Sequence, residues 1–237
     1  MDGWSDLASA CTSTGDRLVL RERAGTVELR CNGWELMSNR AHHSEEMLAT
    51  LACERMAQNS MTSSATQADC ATGAHVLIGG LGLGYTLRAA LDRLATSAHV
   101  TVAELLPEII AWNRGPLARF AARPLDDPRV TVACTDIAAL LRAAEPASFD
   151  AILLDTDNGP DSVMLPGNAS LYGPEGLRLV HRALRPSGTL AVWSADPSAR
   201  FEHALRDTGF QWHAHHVPAR GAPTDPPHTI YLAWEAA

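Results

Sequence analysis

The sequence predicts an α/β chain: a mostly parallel sheet with helices on both faces, preceded by a small antiparallel β unit. From residue 74 onward, short apolar runs alternate with helical stretches, as βαβ units require. Before that, residues 16–37 alternate at period two, the mark of strands with one buried face. A glycine-rich turn follows the first apolar run of the second region, at the end of a sheet where such folds bind ligands.

In the N-terminal unit the alternating runs are Arg17-Leu18-Val19-Leu20-Arg21 and Thr26-Val27-Glu28-Leu29-Arg30. Asn32-Gly33, a strong hairpin signal, leads from the second run into Trp34-Glu35-Leu36-Met37, so about three antiparallel strands are expected. Residues 44–56 read as a helix with Ser44 as N-cap and Glu45 and Glu46 in its first turn. Residues 58–72 are rich in Ser, Thr, Ala and Gln and read as a linker. The expected division is an N-terminal unit with its helix over 1–57, a linker over 58–73 and an α/β domain over 74–237. Within that domain the strands fall at 75–78, 99–103, 130–132, 151–154 and 189–193, with helices at 86–95, 106–120, 137–144 and 176–184. Two more strands, 210–218 and 228–234, flank a Pro-rich turn.

At 237 residues the chain can bury a full core. Its net charge of -8 opposes a nucleic-acid backbone as partner. All 19 basic residues are arginine, so no lysine is present to act as base, Schiff-base former or phosphate ligand. Five scattered cysteines (Cys11, Cys31, Cys53, Cys70, Cys134) show no C-x-x-C spacing. A reducing, cytoplasmic setting is therefore expected, without a zinc knuckle and with Cys134 buried and inert. No signal-peptide pattern and no run of about 18 apolar residues is present. The expected partner is a small molecule, neither nucleic acid nor membrane.

The strand ending at Ile78 runs into Gly79-Gly80-Leu81-Gly82-Leu83-Gly84, and a helix follows. Gly80-x-Gly82-x-Gly84 differs from the G-x-G-x-x-G of dinucleotide sites, because Tyr85 stands where the last glycine would be needed. The next strand ends in Glu104, placed to take both hydroxyls of a ribose. Thr135-Asp136-Ile137 follows the third strand; Asp136 can accept from an exocyclic amine while Ile137 packs on a base. The fourth strand ends in Asp155. Three acids at successive strand ends, on the rim where such sheets bind ligands, point to a nucleoside. His213 and His215 share one strand face, a weak match to a metal pair, and no metal is expected.

These stretches resemble the spermidine-synthase-like branch of the Rossmann-like class I S-adenosylmethionine-dependent methyltransferase fold. The resemblance spans nearly the whole chain, through Ser44-Glu45-Glu46-Met47-Leu48, residues 76–88 and 102–108, Asp126-Asp127-Pro128-Arg129-Val130, residues 149–155 and Leu184-Arg185-Pro186-Ser187-Gly188. It implies S-adenosyl-L-methionine, or its decarboxylated form, as cofactor. Gly80, Gly82 and Gly84 would surround the methionine end, Glu104 the ribose, and Asp136 with Ile137 the adenine. It also implies a homodimer, a lid that begins near His42 and His43, and a packing role for Tyr172.

The chain departs from the family where polyamine charge is read. The acid inside the glycine loop becomes Leu83, and an Asp and a Tyr ahead of the first long helix become Arg40 and Ser44. The family's aspartate pair becomes Asp155-Thr156-Asp157-Asn158. Fewer carboxylates favour the intact donor, whose own carboxylate Arg40, His42 or His43 could bind. The expected function is methyl transfer to a small-molecule amine or amino-acid-like acceptor. Asp155 would be the cofactor- and acceptor-binding catalytic residue, with Asp157 as its helper or a turn former. His43, Asn158 and Trp193 would contact substrate, Trp193 being equally readable as core. The alternatives are aminopropyl transfer from the decarboxylated donor and a non-catalytic cofactor-binding protein.

Overall fold

The computed structural model describes residues 3–62, 73–156, 158–162 and 170–235. Strands β1 (Ser5–Cys11), β2 (Arg17–Arg23), β3 (Thr26–Cys31) and β4 (Trp34–Ser38) form an antiparallel meander in chain order. It has four strands where the alternation marked three, because β1, SDLASAC, is short of large apolar residues and largely exposed. Asn32 (φ 50) and Gly33 (φ 86) make the expected hairpin, and Ala24-Gly25 turns the same way between β2 and β3.

Helix α1 (His43–Thr62) leads toward the second sheet. That sheet holds β5 (His75–Gly79), β6 (His99–Glu104), β7 (Val130–Cys134), β8 (Phe149–Leu154), β9 (Leu184–Ser194), β10 (Phe210–Pro218) and β11 (Pro227–Glu235). Their order is β10-β11-β9-β8-β5-β6-β7, and β11 alone runs against its neighbours. Helices α2 (Tyr85–Leu91), α3 (Pro107–Arg114), α4 (Ile137–Ala143), α5 (Pro174–Ala183) and α6 (Ala199–Asp207) complete it.

Strand periodicity builds two cores, since successive side chains leave opposite faces. Val76 and Ile78 of β5 join Leu153 of β8 and Ile230 of β11 on one face, with the α2 and α3 residues Leu87, Ile109 and Trp112. Leu77, Ile152, Val192 and Tyr231 enter the other, with Leu141, Val180 and Leu205 of α4, α5 and α6. Leu18, Leu20, Val27 and Leu29 of the meander share the first core. Truncating one such residue to alanine costs about 2–5 kcal/mol.

Four local expectations change. The helix read over 106–120 stops at Arg114, because Gly115-Pro116 interrupts it, and a short 3-10 turn follows at Ala118–Ala121. Ser44 does not cap α1; the helix starts one residue earlier and the hydroxyl is used elsewhere. Cys134 is exposed, not buried, because it ends the edge strand β7. Helix α1 continues to Thr62, into the stretch read as linker; Cys70 lies outside the described residues.

Candidate active site

The crevice is set by strand β5. Past it the chain reverses through Gly80 (φ 88), Gly82 (φ 52) and Gly84 (φ 89), a left-handed run that side chains other than glycine resist. At Gly80 the reason is contact as well: a Cβ there would collide with the Asp155 carbonyl. The Asp155 amide donates to the Gly79 carbonyl at 2.9 Å, so the fourth-strand acid and the loop are held together by backbone. Asn113 of α3 steadies the loop from behind, donating to the Gly82 carbonyl at 2.9 Å.

Glu104 is buried at the end of β6 and accepts from the Leu81 amide at 3.0 Å and the Leu106 amide at 2.8 Å. Burial raises its pKa and those amides oppose the rise. Asp136 caps α4, accepting from the Ala139 amide at 2.8 Å. Ile137 is buried within 3.0 Å of where a Gly79 Cβ would lie. The structure thus brings the loop, Glu104, Asp136, Ile137 and Asp155 to one rim.

Asp155 is strongly perturbed. It accepts from the Thr86 hydroxyl at 2.6 Å, and burial raises its pKa from 3.8 to about 6 against that hydrogen bond. Glu45, in the first turn of α1, is pushed well above the usual carboxylate range by burial and then by the charges of Asp155 and Glu46. The Thr86 hydroxyl also lies 3.3 Å from the Glu45 carbonyl, which ties α1 to α2 over the acid. Tyr85 stacks on His42 at 4.2 Å, and burial with Glu45 and Glu46 lifts its phenol to about 12, so it stays protonated. Beside these, the Trp193 indole donates to Ser44 Oγ at 3.0 Å, and Ser44 Oγ lies 2.8 Å from His228 Nδ1.

Glu45, Thr86, Asn113 and His228 are residues to which sequence reasoning gave no site role, and Ser44 was read as a cap and as the place of a family tyrosine. Glu45 looked like an ordinary helix-start acid, and no spacing rule pairs it with an acid 110 positions away.

Other expected residues stand as follows. His43 packs against Gly221, 3.4 Å from where its Cβ would lie. Asn158 is exposed, and its carbonyl accepts from the Ala195 amide at 3.0 Å. Asp157 lies outside the described residues. Tyr172 is buried and bonded to Thr156 at 2.8 Å.

Arg40 is corrected as a ligand for the donor's carboxylate, because its guanidinium is taken by Glu28 and Glu35, each at 3.1 Å. Glu28 is buried; burial alone would raise its pKa, but Arg21 and Arg40 outweigh that and hold it low. Leu83 packs in the core, only 1% exposed. His213 and His215 lie 3.0 Å apart, and no group of three or more metal-binding side chains occurs among the described residues. Among those residues, no helix is long and apolar enough to cross a membrane.

The chain superposes on the spermidine synthase of Thermotoga maritima with a TM-score of 0.73 at 20% identity, covering 98% of this chain and 73% of that one. The fold is that of the spermidine synthases. A spermidine synthase bound to a transition-state analogue matches with a TM-score of 0.72 at 20% identity, over 98% of this chain and 72% of the other. In sequence, putrescine N-methyltransferase 4 of Nicotiana tabacum is 32% identical over 119 residues, 49% of this chain and 28% of that protein. The matched stretch spans less than a third of the length of that plant relative. No protein-family model matches the chain.

Proposed function

We propose that the chain transfers a methyl group from S-adenosyl-L-methionine to the nitrogen of a small amine. The observation that carries this is Asp155: a half-buried carboxylate, raised to about 6, tied by backbone to the glycine loop that would hold the donor. The residues fit an adenosine. Gly80 and Gly82 leave backbone where side chains would intrude. Glu104, anchored by the Leu81 and Leu106 amides, would take the ribose hydroxyls. Asp136 offers its second oxygen to an exocyclic amine, beside Ile137.

The donor supplies an electrophilic methyl on a sulfonium; the chain supplies position and a place for a proton. Asp155 is ionised at neutral pH and faces the rim, where it pairs with the acceptor's ammonium and takes its proton, freeing the lone pair that forms the new C–N bond as C–S breaks. Most of the rate would come from alignment in a water-poor crevice. Asp157 would assist, and His43, Asn158 and Trp193 would border the acceptor. That the plant relatives are named for methylating putrescine supports an amine acceptor. A cytoplasmic homodimer is the setting we assign.

The second reading is aminopropyl transfer, favoured by the likeness to spermidine synthases. Titration calorimetry with both donors, followed by mass spectrometry of reactions with putrescine, separates the two. Methyl transfer yields S-adenosylhomocysteine, and aminopropyl transfer yields methylthioadenosine. Binding of the decarboxylated donor alone would overturn the methyltransferase reading.

A further inference from the structure

We propose that His213 and His215 form a two-point chelating site for a late divalent transition-metal ion, Ni2+ or Cu2+, on the outer strand of the second sheet. Among the described residues, β10 pairs only with β11 and ends that sheet. Side chains alternate across a strand. His213 and His215 therefore share the face on which Val217 joins Leu48 and Ala52 of α1 in the first core, while Ala214 and His216 take the other. His215 stands opposite Ile230, and Ile230 opposite Trp193. The pair thus lies two strand spacings, about 10 Å, along the sheet from Trp193.

His213 Nδ1 lies 3.0 Å from His215 Nε2. At that distance the two nitrogens hold one proton between them, so one lone pair is already bare. Moving the proton to the far nitrogen of its own ring, the other tautomer of a neutral imidazole, bares the second. His213 is exposed, so its ring has room to turn toward a shared point. Nitrogens 3.0 Å apart, each about 2.0–2.1 Å from an ion, subtend about 95° at it. That angle suits adjacent positions of a square-planar or octahedral ion, whereas a tetrahedral one would want them about 3.3 Å apart. Burial and then His213 lower the His215 pKa, against the Glu54 charge, which keeps that ring neutral and its lone pair available at neutral pH. The Glu54 carboxylate of α1 also favours a bound cation. Arg55, the cation beside it, lies over the Trp234 ring at 3.8 Å. No third ligand joins the pair among the described residues, so water completes the ion's coordination.

The test titrates Ni2+, Cu2+ and Zn2+ by calorimetry into the full chain, free of any affinity tag. Wild type should bind one ion, Cu2+ more tightly than Ni2+ and Ni2+ more tightly than Zn2+. His213→Ala and His215→Ala should each lose the Ni2+ isotherm. His216→Ala removes a histidine from the same short run but from the opposite face, and should keep it. Circular dichroism checks that each variant is folded, and electron paramagnetic resonance of the Cu2+-loaded wild type should show splitting from two nitrogens. A wild type that binds no Ni2+, or that prefers Zn2+ to Ni2+, overturns the site. So does Ni2+ binding that persists in either single-face variant, or that is lost from all three alike. None of these outcomes bears on the function proposed above.

Discussion

Replacing Asp155 with asparagine should cripple turnover and stabilise the protein at the same time. Its carboxyl sits at about 6 in the folded chain against 3.8 ordinarily, because burial penalises the charge. The folded value lies above the unfolded one, so the folded state keeps the proton longer. Stability is therefore full below about pH 4, falls as pH rises through about 6, and is level beyond. A carboxyl raised this far costs the folded chain roughly 3 kcal/mol at pH 8, and about half of that at pH 5. Asparagine is nearly the same shape, its oxygen can still accept from Thr86, and it carries no charge to desolvate. At about 2–4 °C per kcal/mol for a chain of this size, Asp155→Asn should melt roughly 6–12 °C higher than wild type at pH 8. The gap should narrow at pH 5, while product formation falls on the order of a hundredfold or more. Circular-dichroism melts at both pH values, run beside the product assay, check this. A variant melting at or below wild type at pH 8, or showing the same gap at both pH values, would refute the buried-charge account.

Thr86→Val removes the hydrogen bond that lowers the Asp155 pKa, so the acid limb of kcat/KM should move up from near pH 6 by about one pH unit; an unmoved limb would deny Thr86 that role. Gly80→Ala forces a side chain onto left-handed backbone and into the Asp155 carbonyl, and should weaken donor binding by calorimetry at least about tenfold. Normal donor affinity in that variant would show that the loop is not the cradle.

The sheet was legible because each of its strands is a dense apolar run whose alternate residues feed two cores, as Val76, Leu77 and Ile78 do. The loop was legible because glycine spacing reports backbone conformation directly. What escaped was long-range. Glu45 has an ordinary helix-start sequence, and only the α1–α2 packing through Thr86 turns it toward Asp155. Ser44 carries the signature of an N-cap and is instead claimed by two rings from β9 and β11. Strand β1 escaped because its small and polar residues pair by backbone alone at an exposed edge.

The charge argument for the donor moves with these corrections. In the sequence it rests on Leu83 and Arg40, one an acid missing from the loop and the other a cation gained beside it. Yet Leu83 faces the core, and Arg40 is bound to Glu28 and Glu35 in a cluster that stabilises the meander. Both side chains are thus engaged within the fold. A carboxyl outside that argument lies in the first turn of α1, where burial and then the charges of Asp155 and Glu46 raise the Glu45 pKa well above the usual carboxylate range. A protonated Glu45 can donate to the carboxylate of an intact donor, whereas an ionised one would repel it and welcome an ammonium.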